Sequence, residues 1–377
     1  MTDELQAMAE AVRKFAESEL APYAVEWDQN KHFPVDVLRR AGELGLGGIC
    51  VGEDVGGSGL GRLEAVTIFE ELARGDTAIA AYVSIHNMVT AMIDSSGTAE
   101  QRLQWVPRLS SMEGLGSYCL TEPEAGSDAG ALRTTARREG DTYVLDGVKQ
   151  FISGAGSSSV YVVMARTGEP GPRGITAFIV PGDATGLSFG ANERKMGWHA
   201  QPTRQVILDG VRVPVAQRLG AEGEGFGIAM RGLNGGRLNI AACSLGGAQW
   251  AHEQATRYLQ TRTAFGAPLI SQQALVFQLA DMETSLQAAR CLLLHAAGVL
   301  DASGADAAKV CAMAKRFVTD AAFTVANQAL QLHGGYGYLS EYGIEKVVRD
   351  LRVHQILEGT NEIMRLIVGR ALIEEAA

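Results

Sequence analysis

The chain has 377 residues, 46% hydrophobic and 20% charged, which is enough apolar material for two or three packed units. Its formal net charge of -10 excludes a protein built to coat a polyanion, because that task needs a basic face able to release counterions. Five cysteines lie far apart with no C-x-x-C pair, and the seven histidines include no H-E-x-x-H, so no metal site or redox dithiol is indicated and any cofactor should be organic.

The N-terminus has neither a basic and apolar leader pattern nor an Arg-rich transit pattern, and the longest apolar stretch, 291–300, is about half a membrane span. A cytoplasmic protein with reduced, buried cysteines is expected. Residues 4–112 carry apolar positions at helical spacing, such as Val66, Phe69, Leu72 and Ala73, and are broken by the glycine-rich loop 51–61. From 114 to 223 the pattern changes to short β-branched and aromatic runs (143–145, 161–164, 175–180, 205–208). Asp146-Gly147 and Asp209-Gly210 fall between such runs and read as hairpin turns. After 223 helices return. Leu275, Leu279, Met282, Leu286, Leu293 and Leu300 mark one, and 307–332 forms another. The fold class is therefore α+β, mostly α, with an N-terminal helical domain (1–113), a middle antiparallel β domain (114–222) and a C-terminal helical domain (223–377).

No G-x-x-x-x-G-K-[ST] or G-x-S-x-G occurs, and Gly45-Leu46-Gly47-Gly48 reads as a helix-to-loop turn rather than a dinucleotide fingerprint. Three segments gather glycine and polar residues in apolar surroundings: Y-C-L-T-E-P-E-A-G-S (118–127), Q-L-H-G-G-Y-G-Y (331–338) and H-Q-I-L-E-G-T-N-E-I-M (354–364). Glycine lets backbone N–H groups approach a ligand, and Ser, Thr and Gln orient it with neutral hydrogen bonds, which suits a flat, polar-edged cofactor. Glu358 follows Ile356-Leu357 and precedes a glycine, so a desolvated, strengthened base is one reading of it. From spacing alone, a solvated loop glutamate is the commoner meaning.

Together these segments resemble the acyl-CoA dehydrogenase family, and the likeness covers essentially the whole chain, with E-G-T-N-E-I-M-R and Y-C-L-T-E-P-x-A-G-S-D its most specific parts. Within the family, R-G-L-N-G-G-R (231–237) and V-R-D-L-R-V-H-Q-I-L-E-G (348–359) resemble the branch acting on isobutyryl-CoA. The resemblance implies a C-terminal four-helix-bundle-like domain, FAD as cofactor and Glu358 as the base that removes the substrate α-proton. It places Tyr118, Leu120, Thr121, Gly126 and Ser127 beside the flavin, with Phe151, Ile152 and Ser153 against its ring. It assigns Arg262, Phe265, Gln272 and Gln273 to FAD in a neighbouring subunit, and Gln331, Leu332, His333, Gly334 and Gly335 to the dinucleotide. Thr360, Asn361 and Glu362 match the turn after the base.

On the substrate side, Ser127, Asn234, Gly235, Gly236, Arg237, Gly359 and Arg370 match positions near the acyl-pantetheine and CoA. The thioester oxygen is expected to accept from the Glu358 N–H and an FAD ribityl hydroxyl, a site of oxyanion-hole type. A short, branched acyl-CoA such as isobutyryl-CoA is the implied substrate, because Gly235 and Gly236 leave room for an α-methyl. The implied partners are an electron-transferring flavoprotein and further copies of the chain in a homotetramer. Three features leave alternatives open. Many relatives have an acidic residue at the Asn234 position and a hydroxyl at Gly236, and Ala264 replaces a polar FAD contact. A straight short-chain dehydrogenase, an acyl-CoA oxidase and a non-catalytic flavin- or CoA-binding scaffold are the competing readings. In some relatives the base lies instead on the helix holding Gly236, where glycine cannot serve.

Overall fold

A computed structural model describes residues 2–376. Six helices come first: α1 (Asp3–Phe15), α2 (Ala24–Asn30), α3 (Val35–Glu43), α4 (Arg62–Gly75), α5 (Thr77–Ser96) and α6 (Ala99–Ser110). α4 buries Ala65, Val66, Phe69, Leu72 and Ala73, the expected stripe, whereas α5 is buried nearly all round. Asp76 caps α5 by accepting from the Ala78 and Ile79 N–H groups at 2.8 and 3.0 Å, and Thr98 with Gln101 forms a capping box on α6. The Gly45–Gly48 segment is a helix-to-loop turn, as read from sequence, with Gly45 at φ 77° just beyond α3.

The middle region forms an eight-stranded sheet from β1 (Gly116–Cys119), β2 (Thr135–Glu139), β3 (Thr142–Ser153), β4 (Val160–Arg166), β5 (Ile175–Pro181), β6 (Leu187–Phe189), β7 (Thr203–Pro214) and β8 (Arg218–Leu219). Its order is β6-β7-β3-β2-β4-β5-β8, and β1 shares the β4 edge with β2. Pairing is antiparallel except where β1 and β2 meet β4 in parallel. β4 is buried on both faces. Val160, Val162 and Met164 join a cluster with α5, α6 and the following helix, while Tyr161, Val163 and Ala165 join one with Tyr143, Phe178 and Val206. That is why the strand reads as an unbroken apolar run.

Neither Asp-Gly pair makes a hairpin turn. Asp146-Gly147 lies inside β3 and Asp209-Gly210 inside β7, facing each other where the register slips between Leu145 and Gly147. Asp146 Oδ1 accepts from the Gly210 N–H at 2.8 Å, so the pairs form a bulge held by a side chain across the ladder. The hairpin lies between β2 and β3, where Glu139 pairs Thr142 around Gly140 at φ 62° and Asp141.

The chain then forms α7 (Gly225–Thr261), a small hairpin of β9 (Thr263–Ala264) and β10 (Ala267–Pro268), α8 (Gln273–Asp301), α9 (Ala307–Leu332), α10 (Ile344–Arg352) and α11 (Asn361–Glu375). α9 packs on α7, α8 and α11. The helices before and after the sheet share one core, in which Phe69 and Leu72 of α4 join Leu238 and Leu245 of α7, Leu286 of α8 and Val318 of α9. No described helix is long and apolar enough to cross a membrane.

Candidate active site

Glu358 lies between α10 and α11 with φ 57°, followed by Gly359 at φ 89°. Left-handed backbone is costly for a residue with a side chain, of the order of 1–3 kcal/mol, so the surroundings must impose it. Thr360 closes the turn by capping α11, its Oγ1 accepting from the Ile363 N–H at 3.3 Å. This conformation turns the carboxylate back onto α7, where a Cβ on Gly236 would stand 2.6 Å from Oε2. Oε2 is shut off from solvent without a hydrogen-bond partner. Burial pushes the Glu358 carboxyl up to about 7, against the opposing pull of Arg237 and Lys315. The Glu358 N–H also donates to nothing among the described residues. The turn thus offers an unpaired base and an unpaired donor side by side.

Arg237, buried in α7, donates from Nε to the Glu358 carbonyl at 3.2 Å and from NH1 to Asn234 Oδ1 at 2.9 Å. The structure gives the neighbouring glycines a further reason. Gly236 clears the Glu358 carboxylate, and a Cβ on Gly235 would meet the Arg62 guanidinium at 2.7 Å. A side chain at either position would crowd one of these groups, whichever acyl chain is bound.

The first motif lies on the strand and loop beginning at β1. The Tyr118 hydroxyl is buried and unpartnered, and burial pushes its pKa well up, with the nearby Glu358 charge adding to the rise. The segment after it is tied down by a buried ion pair, in which Lys149 Nζ lies 2.7 Å from Glu122 Oε1 and donates to the Leu120 carbonyl at 3.2 Å. Glu122 also accepts from the Arg133 and Thr134 N–H groups, and Thr121 O accepts from the Gln150 N–H at 2.8 Å. Gly126 and Ser127 are exposed, with open space where a Cβ on Gly126 would point. In β3 a second bulge separates Lys149 from Ile152 and throws Phe151 outward at φ 59°, leaving it 63% exposed, while Ile152 is buried. The Ser153 carbonyl accepts from Ser117 Oγ at 2.6 Å. An outward aromatic held in a strained backbone offers a flat apolar face that fits a flavin ring.

The third set lies elsewhere on the chain. Arg262, Gln331, Leu332, His333, Gly334 and Gly335 line a cavity of about 540 Å³ that includes no residue of the first motif and not Glu358. The Arg262 guanidinium sits over the Tyr336 ring at 5.4 Å, and His333 stacks on Tyr258 at 4.6 Å. Phe265 projects from the β9–β10 hairpin at φ 54° and 94% exposure, and Gln272 and Gln273 are exposed at the start of α8. Asn361 is buried in a polar network, whereas Glu362 and Arg370 lie exposed on α11.

Sequence reasoning missed Lys149, Glu122, Arg62 and Lys315. Lys315 did leave a signal, since it stands on the buried face of α9 with Cys311, Val318 and Ala322, where an apolar residue is the rule.

Family models described as the acyl-CoA dehydrogenase N-terminal, middle and C-terminal domains match residues 2–113, 117–211 and 223–373. The chain is 52% identical over its full length to a mitochondrial isobutyryl-CoA dehydrogenase of Bos taurus, covering 90% of that protein. It is 51% identical to the Dictyostelium discoideum protein of the same name, again over 100% of this chain and 90% of the relative. Among solved structures, butyryl-CoA dehydrogenase from Megasphaera elsdenii superposes with a TM-score of 0.96 at 37% identity, covering 99% of both chains. With its domain models matched in order and about half its residues shared end to end with named dehydrogenases, the chain belongs to the acyl-CoA dehydrogenase family and is an FAD-dependent acyl-CoA dehydrogenase.

Proposed function

We propose that the chain dehydrogenates a short, branched acyl-CoA such as isobutyryl-CoA across its α,β bond, with Glu358 taking the α-proton. The observation that carries this reading is the Glu358 carboxylate itself, turned inward by a positive φ, unpaired, and raised to about 7. A carboxylate that accepts no hydrogen bond and ionises near neutrality is a base waiting for a proton. Its unpaired backbone N–H is the donor available to the thioester oxygen, where enolate charge develops as the proton leaves. Arg237 holds the next peptide unit, Glu358–Gly359, through the Glu358 carbonyl. Tyr118, Leu120, Thr121, Gly126, Ser127, Phe151, Ile152 and Ser153 would hold the flavin, with Thr360, Asn361 and Glu362 beside it. When bound, FAD supplies the acceptor for the β-hydride.

Ser127, Asn234, Gly235, Gly236, Arg237, Gly359 and Arg370 would line the path of the acyl-pantetheine and CoA. The preference for a branched chain is supported by the relatives named for isobutyryl-CoA. Straight butyryl-CoA is the second reading, favoured by the likeness to butyryl-CoA dehydrogenase from Megasphaera elsdenii. The exposed Phe265, with Arg262, Gln272 and Gln273 near it in sequence, supports a homotetramer in which these residues and the 331–335 segment reach FAD across a subunit boundary. An electron-transferring flavoprotein would reoxidise the cofactor. Free cysteines, three of them fully buried, support a reducing compartment such as the cytoplasm.

The test is anaerobic bleaching of the FAD-loaded protein by isobutyryl-, 2-methylbutyryl-, butyryl-, isovaleryl- and octanoyl-CoA. Bleaching should be fastest with isobutyryl-CoA, with neighbouring short chains within roughly 10 to 200-fold. A maximum at octanoyl-CoA refutes the short-chain assignment. Glu358→Gln should keep FAD and lose roughly 100 to 10,000-fold in turnover.

A further inference from the structure

We propose that Lys315, buried in α9 on the far side of the catalytic turn, is a positioning residue for proton abstraction. It anchors the backbone that aims Glu358 and supplies the positive charge that favours the ionised carboxylate. This inference rests on the reading of Glu358 as the base.

The side chain of Lys315 is fully buried, and its ammonium donates to the Gly359 carbonyl at 2.8 Å and to Asn361 Oδ1 at 2.9 Å. The first contact falls on the residue immediately after the base and the second on the first residue of α11. Asn361 is fixed in turn, donating to Asp320 Oδ1 at 2.7 Å and Thr319 Oγ1 at 3.0 Å, both on α9. Gln355 Nε2 donates to the same Asp320 Oδ1 at 2.8 Å, so the two successive left-handed residues are bracketed by hydrogen bonds to one helix, which is how an unfavourable turn is over-determined.

The choice of residue goes beyond what anchoring needs. A neutral donor could satisfy a carbonyl and a carboxamide oxygen, and a buried ammonium is normally paired with a carboxylate. The other fully or nearly buried lysines obey that rule, Lys149 with Glu122 and Lys346 with Asp76 and Asp350. Lys315 makes no ion pair among the described residues. The charges around it are Glu358 and Glu362 beside the turn, Asp320 on its own helix and Arg237 on α7. Glu358 is in turn faced by Arg237, Lys315 and the Tyr118 phenol. Burial pushes the Lys315 ammonium down to about 8, so it remains largely charged where Glu358 ionises. It acts on the base across the peptide unit without hydrogen-bonding its carboxylate.

The test compares FAD-loaded Lys315→Gln, Lys315→Met and Lys315→Arg with the parent and with Glu358→Gln. Steady-state rates with isobutyryl-CoA and a chemical electron acceptor would be followed from acid to alkaline pH. Loss of a cation raises a carboxyl pKa, so the acid limb of kcat/KM should move to higher pH in the Gln and Met variants, by about one unit or more. In both, kcat should fall about 10-fold or more while KM changes far less, because the base and not the CoA site is disturbed. Lys315→Arg should keep the limb near its original position. Should the Met variant fail to hold FAD, the Gln and Arg pair decides alone. An unmoved acid limb and kcat in the neutral variants overturn the inference, as does an Arg variant shifted as far as Gln. If Glu358→Gln stays active, the base itself is misassigned and Lys315 falls with it. If Glu358→Gln is dead while Lys315→Gln behaves as the parent, only the role of Lys315 is lost.

Discussion

Two irregular backbone segments in this enzyme are each held by a buried lysine, and they are finished differently. In the segment after β1, Lys149 meets a carboxylate of the same segment, and Glu122 spends its remaining capacity on backbone N–H groups. At the turn before α11, Lys315 meets only neutral acceptors, and the carboxylate next in sequence is left unpaired. The first arrangement closes every charge and fixes a surface. The second leaves one acid and one base uncompensated within a short distance, which raises the free energy of the turn and makes it reactive. On the proposed roles, a segment that only holds a cofactor can be satisfied internally, whereas one that presents a reacting group cannot.

Substitutions can break this comparison, and the largest expected effect is on the closed side. Lys149→Met strands the Glu122 carboxylate in a buried site and should cost about 3–5 kcal/mol, measured by urea unfolding. The double variant with Glu122→Gln should recover part of that loss, and additive costs would show that the pair is not coupled. On the open side, Gly236→Ala should lower kcat by roughly 100-fold with little change in stability, because the new methyl displaces a carboxylate that must be placed to within about 1 Å. Gly235→Ala meets only the end of the flexible Arg62 side chain and should cost much less, so equal losses in the two variants would discredit the steric account.

Glu358→Gln sharpens the contrast through pH. The folded-state pKa of Glu358, about 7, lies above its unfolded value, so folding favours the protonated form. The penalty is absent below the unfolded pKa and grows as pH rises from about 4.3 towards 7. Above pH 7 the Gln variant of the apoprotein should therefore be more stable than the parent, by on the order of 1–3 kcal/mol, and the two should converge near pH 4 in denaturant titrations. The smallest effect belongs to the bulge in β3. Phe151→Gly should relieve positive-φ strain and change stability by no more than about 1 kcal/mol, while FAD binding, followed by flavin fluorescence, weakens with loss of the ring.

The sequence announces elements that are decided locally. Residues 307–332 repeat their apolar stripe for seven turns and form α9 with those bounds, and the E-G-T-N motif singles out Glu358, the proposed base. It misleads where long-range pairing decides. Asp146-Gly147 and Asp209-Gly210 have turn chemistry, yet each sits opposite the other inside paired strands, and no local signal distinguishes a turn from a bulge completed by a strand about 60 residues away. Arg62 and Gly235 are remote in sequence, so their shared space was equally hidden. Lys315 was overlooked for another reason: a lysine in a long helix is usually solvated, and only its register against Cys311 and Val318 places it inside.

The shared core of the first and last helical regions has a consequence for how the chain is made. α4, which carries Phe69 and Leu72, packs against α7 and α8, and the whole β-sheet is synthesised between them. At about 5–20 residues per second, the ribosome needs roughly 10 to 40 seconds to travel from the end of α4 to the end of α7. During that interval α4 can pack only on its N-terminal neighbours α1 and α5 and lacks α7 and α8, while the sheet, whose Tyr143, Phe178 and Val206 cluster is internal to it, can already close. The part of the N-terminal helical surface that α7 covers thus stays open to solvent longest during synthesis, and destabilising α7 should expose it again.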